Sequence, residues 1–184
     1  MRNFIIYALK ARTTPDFSLE NLPDAGRMDI VCEMILNALC ISNAIRRDTT
    51  VYVAMTGPRD PPKLLMFLGK ELQGVDPDSV SIARVIQKAL RAGQGLKTNE
   101  EKSVAPGITI AKKAFETIVK EKAQTSQLLY LHPDGEDIRR SSFQENVTFV
   151  LGDYIGLPKN TEKFLGRLGA QKIMLGPTMV FAAH

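Results

Sequence analysis

Two cysteines, two histidines and no long apolar run leave this 184-residue sequence with few of the usual chemical options. Cys32 and Cys40 lie eight apart within one predicted helix, too far along it to be bridged to each other. No CxxC pair or Cys/His cluster offers a metal site, and two imidazoles, His132 and His184, exclude a site built from several. The cysteines read as small buried hydrophobes in a reducing, cytoplasmic compartment. No apolar stretch approaches the roughly 20 residues of a membrane span. The opening MRNFIIYALKART is short and lacks a small-residue cleavage site, so it reads as a first strand and not a signal peptide. Common cofactor signatures are missing too. There is no G-x-G-x-x-G after the first strand, no phosphate loop, no H-E-x-x-H and no G-x-S-x-G. Ordinary Rossmann, hydrolase and nucleotide-triphosphatase readings weaken together. There is also no tract of consecutive basic residues. The 24 basic and 20 acidic side chains are interspersed, for a net charge of +4. That balance is compatible with a polyanionic partner, whose surface folding would have to assemble.

What is present is an ordinary globular composition, 44% hydrophobic and 24% charged. The length suits one domain, which buries roughly 70% of its unfolded surface. Phe4 to Leu9 is an apolar run of strand length. From Arg27 to Ile45 the period changes: Met28, Val31, Cys32, Ile35, Leu39 and Cys40 share one face, which predicts a helix. Thr50 to Thr56 reads as a strand stopped by Gly57-Pro58, and Leu64 to Leu68 as another. Asp78 suits the N-cap of a helix over Ser79 to Ala92. The polar stretch Gly93 to Pro106 reads as a loop. A short strand at Ile108 to Ile110 and a helix to about Lys122 follow. Strands at Gln127 to Leu131 and Val147 to Leu151, a helix near Thr161 to Leu168 and a strand at Gln171 to Leu175 complete the pattern. The alternation predicts an α/β fold with a mostly parallel sheet flanked by helices.

Three glycine-bearing segments follow late strands: Leu131-His132-Pro133-Asp134-Gly135, Leu151-Gly152-Asp153-Tyr154-Ile155-Gly156 and Leu175-Gly176-Pro177-Thr178-Met179. Ligands of open α/β sheets collect beyond the carboxyl ends of strands, so three such loops can line one pocket with main-chain groups. Each taken singly also reads as an ordinary strand-ending turn.

Gly26-Arg27-Met28-Asp29, Ile45-Arg46-Arg47-Asp48-Thr49 and Gly57-Pro58 with Pro61-Pro62 form one half of a longer pattern. Leu131 with Asp134-Gly135, Glu145-Asn146, Phe149 to Asp153 and Leu175-Gly176-Pro177 form the other. Together they resemble the archaeal tRNA pseudouridine-54 N1-methyltransferases of the SPOUT superfamily, from the first strand to the end of the chain. The resemblance implies one knotted domain over residues 1–184 with a C-terminal trefoil knot, a homodimer, and S-adenosylmethionine bound within the knot. The substrate it implies is pseudouridine in the T loop of tRNA. Carried over, Leu131, Gly152, Leu175, Gly176, Pro177, Thr178, Met179 and Val180 would line the cofactor pocket. Two departures stand out. Tyr154 replaces an expected histidine, and the family continues beyond His184 with a cysteine and a final helix, which this chain is expected to lack. A related knotted rRNA methyltransferase and a non-catalytic RNA-binding or assembly protein of the same fold are the alternatives.

Methylation of N1 requires loss of its proton, and a carboxylate within hydrogen-bond reach can accept it. Asp29 is the chosen candidate, with Asp134 and Asp153 as alternatives. Asp29 also reads as a favourable acid in a helix's first turn. Arg27 beside it, together with Arg46, Arg47 and Arg59, is a candidate for RNA contacts, the last three to phosphates or else as ordinary solvated charges.

Overall fold

The computed structural model describes residues 1–42 and 44–176. An eight-stranded sheet runs through these residues in the order β10-β8-β9-β1-β4-β5-β7-β6. The strands are β1 (Arg2–Ala8), β4 (Thr49–Met55), β5 (Lys63–Leu68), β6 (Glu101–Ala105), β7 (Ile108–Ala111), β8 (Gln127–Asp137), β9 (Val147–Gly152) and β10 (Gln171–Met174). A two-stranded ribbon, β2 (Cys40–Ile41) with β3 (Ala44–Ile45), stands apart. β10, β8, β9, β1 and β4 run parallel, while β5, β7 and β6 continue the sheet antiparallel. All seven positions of β4 are buried, as suits a central strand.

Side chains alternate between the two faces with the two-residue period of a strand. Ile6, Val51, Val53, Leu65 and Phe67 pack under α1 (Met28–Leu39) and α2 (Ser79–Ala92). Ile5, Tyr52, Ala54 and Leu64 pack under α3 (Phe115–Ala123), with Val150 and Leu165 of α4 (Lys159–Arg167) in the same cluster. Helices therefore flank both faces of the sheet. As expected, the Asp78 carboxylate caps α2, accepting from the Ser81 amide at 2.9 Å.

Three expectations need correction. The first helix ends at Leu39, not Ile45; Cys40 begins β2, although Cys32 is buried as anticipated. The stretch Gly93 to Pro106 contains β6, an edge strand whose residues are exposed or half-buried. The strand starting at Gln127 runs past Leu131 to Asp137, so 131–135 lies inside β8 and does not follow it.

Candidate active site

The parallel half of the sheet brings the carboxyl ends of β8, β9, β1 and β4 to one edge. Tyr7 stands beside Gly152, and Ala8 beside Met55. The segment after β1 is gripped there: a Cβ on Gly26 would lie 1.8 Å from the Lys10 carbonyl, and one on Gly57 would lie 2.3 Å from those of Lys10 and Ala11. Only glycine permits both approaches, and they seat the start of α1 against the loops from β1 and β4.

Arg27 and Asp29 sit at that start. The Arg27 Nε and Nη2 donate to Asp29 Oδ1 and Oδ2 at 3.1 and 2.9 Å. This hydrogen-bonded pairing lowers the Asp29 pKa and raises that of Arg27. The Arg27 guanidinium also lies 5.5 Å from the Tyr154 ring centroid, joining α1 to the loop after β9. Asp153, next in that loop, is 7% exposed. Its Oδ2 accepts from the Leu9 amide at 2.8 Å and its Oδ1 from the Ile155 amide at 2.9 Å. Burial pushes its pKa up against those hydrogen bonds. Asp134 extends into solvent, its side chain 84% exposed.

Among the proposed cofactor residues, β8 supplies an unusual feature. It pairs with β9 through Tyr130, then rejoins β10 only at Glu136, opposite Ile173, although Tyr130 already faces Lys172. Residues 131–135 thus leave both ladders of the described residues as an excursion beside the carboxyl edge. His132 fixes it from within: its Nδ1 accepts the Asp134 amide at 3.0 Å, and its Nε2 lies 3.7 Å from Glu162 of α4. Gly152 is buried, and a Cβ there would meet the Gly156–Leu157 backbone at 2.3 to 2.7 Å. Leu175, 44% exposed, and Gly176 follow β10, whereas Pro177, Thr178, Met179 and Val180 lie outside the described residues. This edge offers main-chain amides and carbonyls beside apolar side chains, Leu131 and Leu175. Such donors suit an adenosine and amino-acid ligand without a glycine fingerprint.

The remaining arginines divide. Arg46 Nη1 approaches the Asn37 and Ala38 carbonyls near the end of α1 at 3.4 and 3.5 Å. Arg47 Nη1 donates to the carbonyls of Gly69 and Leu72 at 3.0 and 3.1 Å. These contacts place both beside main-chain carbonyls, away from the gathered loops. Arg59 stands on the loop after β4, 75% exposed, with Asp16 Oδ2 3.3 Å away. The sequence reading missed His132, Arg12 and Asp16. A histidine inside a glycine-bearing loop was the available signal for the first. Arg12 and Asp16 lie between the first strand and the first helix, where no period or motif marks them. No group of three potential metal-ligating side chains occurs among the described residues.

The whole chain, residues 1–184, matches the family described as "Putative SAM-dependent RNA methyltransferase". It is 40% identical to the tRNA (pseudouridine(54)-N(1))-methyltransferase of Pyrococcus abyssi, covering 100% of this chain and 93% of that one. It is 38% identical to the protein of the same name from Thermococcus onnurineus, covering 100% and 92%. The Methanocaldococcus jannaschii protein of that name is 36% identical with the same coverage as the latter. In fold, the chain resembles the crystal structure of Archaeoglobus fulgidus Nep1 bound to S-adenosylhomocysteine, with a TM-score of 0.63 at 13% identity, covering 98% of this chain and 91% of that one. A match spanning every residue, with relatives this similar over their own length, places the chain in this family of SAM-dependent RNA methyltransferases.

Proposed function

We propose that the protein transfers a methyl group to N1 of pseudouridine 54 in the T loop of tRNA. The observation that carries this is the 36–40% identity, across the entire chain, to proteins bearing that activity in their names. The geometry supports it through the gathered carboxyl edge. S-adenosylmethionine, when bound, supplies an electrophilic methyl group on a sulfonium. Main-chain groups of 131–135 and Gly152, with Leu131, Leu175 and Gly176 and, outside the described residues, Pro177 to Val180, would hold and orient it. The chain's remaining task is to place the base and receive its proton. Asp29, kept ionised by Arg27, accepts the N1 proton. Arg27 and Arg59 face the RNA, while Arg46 and Arg47 brace the surface behind them.

The same reading carries the finer family features. The chain forms one domain whose C-terminal third is threaded as a trefoil knot, and two copies assemble as a homodimer that works in the cytoplasm. No helix among the described residues is long and apolar enough to cross a membrane.

Methyl transfer from tritiated S-adenosylmethionine to T-arm RNA tests the activity. The expected result is label incorporated into RNA carrying pseudouridine at 54 and not into RNA carrying uridine there. Label in both, or only in rRNA fragments, would move the assignment to another knotted methyltransferase. No transfer together with no cofactor binding by calorimetry would leave an RNA-binding protein.

A further inference from the structure

We infer that Arg12 and Arg59 form a phosphodiester-binding clamp that the Asp16 carboxylate fills in the RNA-free protein. The inference rests on the RNA-methyltransferase reading and names a contact within it. Arg59 Nη1 lies 3.3 Å from Oδ2 of Asp16, and Arg12 Nη1, which donates to the Asp16 main-chain carbonyl at 2.8 Å, lies 3.6 Å from the same carboxylate oxygen. Two guanidinium groups drawn to one oxygen repel each other unless an anion stands between them. The planar, multi-donor guanidinium suits a phosphate oxygen as well as a carboxylate oxygen. Asp16 therefore occupies the position that a backbone phosphate would take.

The three charges stand on anchored backbone. The Thr13 amide donates to the Pro58 carbonyl at 2.9 Å and its hydroxyl to the Gly57 carbonyl at 2.9 Å. That hydroxyl in turn accepts the Asp60 amide at 2.9 Å. One buried threonine thus fastens the Arg12 loop to the Arg59 loop. Gln87 of α2 fixes the segment on either side of Asp16, its Nε2 donating to the carbonyls of Pro15 and Phe17 at 3.2 and 2.6 Å. The Arg12 amide donates to the Ala25 carbonyl at 3.0 Å, tying this loop to the turn that leads into Arg27 and Asp29. A pair of cations held this way loses little freedom when an anion arrives. The site opens on the Arg59 side, where an arriving phosphodiester would turn the half-exposed carboxylate away and release its Oδ1 from the Thr14 hydroxyl.

The clamp and a simple surface strut make opposite predictions for Asp16. If Asp16 only braces the arginines, removing its charge weakens RNA binding as removing either arginine does. If it fills a phosphate site, Asp16→Asn tightens binding, because the phosphate no longer displaces an ion pair. Fluorescence anisotropy with a pseudouridine-containing T-arm hairpin, across a salt series, reads the difference. Arg12→Ala and Arg59→Ala should each weaken binding and flatten the slope of log Kd against log salt by about 0.7 to 1. Asp16→Asn should strengthen it by up to about fivefold, the range of an exposed ion pair. Thermal unfolding and calorimetry with S-adenosylmethionine should be unchanged in all three, which separates the clamp from a folding defect.

Weaker binding by Asp16→Asn, or unchanged affinity in both arginine variants, would overturn the clamp. Its failure is distinguishable from failure of the activity. Wild-type protein that methylates T-arm RNA while Asp16→Asn weakens binding loses the clamp alone. Wild-type protein that shows the opposite-sign pattern but transfers no methyl group loses the activity alone.

Discussion

The Arg27 guanidinium donates to both oxygens of Asp29, whereas Asp153 is held by two main-chain amides in a buried setting. The two carboxylates are consequently tuned in opposite directions, Asp29 below its ordinary pKa and Asp153 above it. Their contributions to stability differ in sign. The Asp29 pairing contributes above the carboxylate's unfolded pKa and is lost as pH falls through its lowered folded value. Asp153 opposes folding increasingly as pH rises through its raised folded value. The same contrast identifies the proton acceptor. With Asp29 as base, the acid limb of kcat/KM falls below the ordinary carboxylate range; with Asp153, it lies above. Substitution separates them further. Asp29→Asn should lower kcat by about 100-fold or more, a usual yield of general-base catalysis, with little change in KM for S-adenosylmethionine. Asp134→Asn, at an exposed side chain, should stay near wild type. Asp153→Asn offers one acceptor oxygen to two amides and should cost about 1–3 kcal/mol of stability in urea unfolding.

Much of the secondary structure was legible because strands and helices here keep their periods. The Ser79–Ala92 helix, its Asp78 cap and the buried run of β4 follow from local pattern alone. The misses came where pairing partners are distant. β6, with the sequence EKSVA, lies at the sheet edge and buries neither face fully, so it carries no alternation to read. α1 stops at Leu39 although Cys40 continues its apolar spacing, because Cys40 pairs with Ile45 instead. In β8, Pro133 and Gly135 read as terminators, yet Glu136 and Asp137 rejoin the sheet through Ile173 and Met174, some 37 residues later. Loop positions of the site were visible in sequence, but the contacts that fix them were not. His132 illustrates the gap, since its partner Glu162 lies on α4. If this imidazole positions the excursion, His132→Ala should raise KM for S-adenosylmethionine more than it lowers kcat. His132→Asn retains an acceptor near the place of Nδ1 for the Asp134 amide and should recover part of that loss. His132→Gln, which favours a contact toward Glu162, should recover less. Equal loss in kcat and KM for all three would assign His132 a role in folding instead.

Across the whole molecule, the layers meet at a buried cation. Lys63 opens β5 with its side chain 1% exposed, and its Nζ donates to the Gly93 carbonyl at the end of α2 at 2.7 Å. Asp60 balances it at 2.8 Å and also pairs with Lys112, just past the end of β7. One carboxylate thus links the loop after β4, the first residue of β5 and the exit from β7, and through Lys63 it reaches α2. The charges hold Asp60 below its ordinary pKa, with the Lys112 hydrogen bond the larger cause. The asymmetry of buried ion pairs then sets the order of damage. Removing the anion leaves an ammonium in the interior with only a carbonyl for company, which typically costs about 3–5 kcal/mol. Removing the cation and filling its volume with an apolar chain leaves Asp60 paired to Lys112 and partly in water. Asp60→Ala should therefore destabilise the protein by several times as much as Lys63→Met in urea unfolding. The Asp60 main-chain amide that donates to the Thr13 hydroxyl survives in Asp60→Ala, so the loop carrying Arg59 keeps this anchor and T-arm RNA affinity should stay near wild type. Lys63→Met should leave RNA affinity nearly unchanged. Equal destabilisation by the two variants would mean that the buried lysine gains little from its partner, and that apolar packing alone joins β5 to α2.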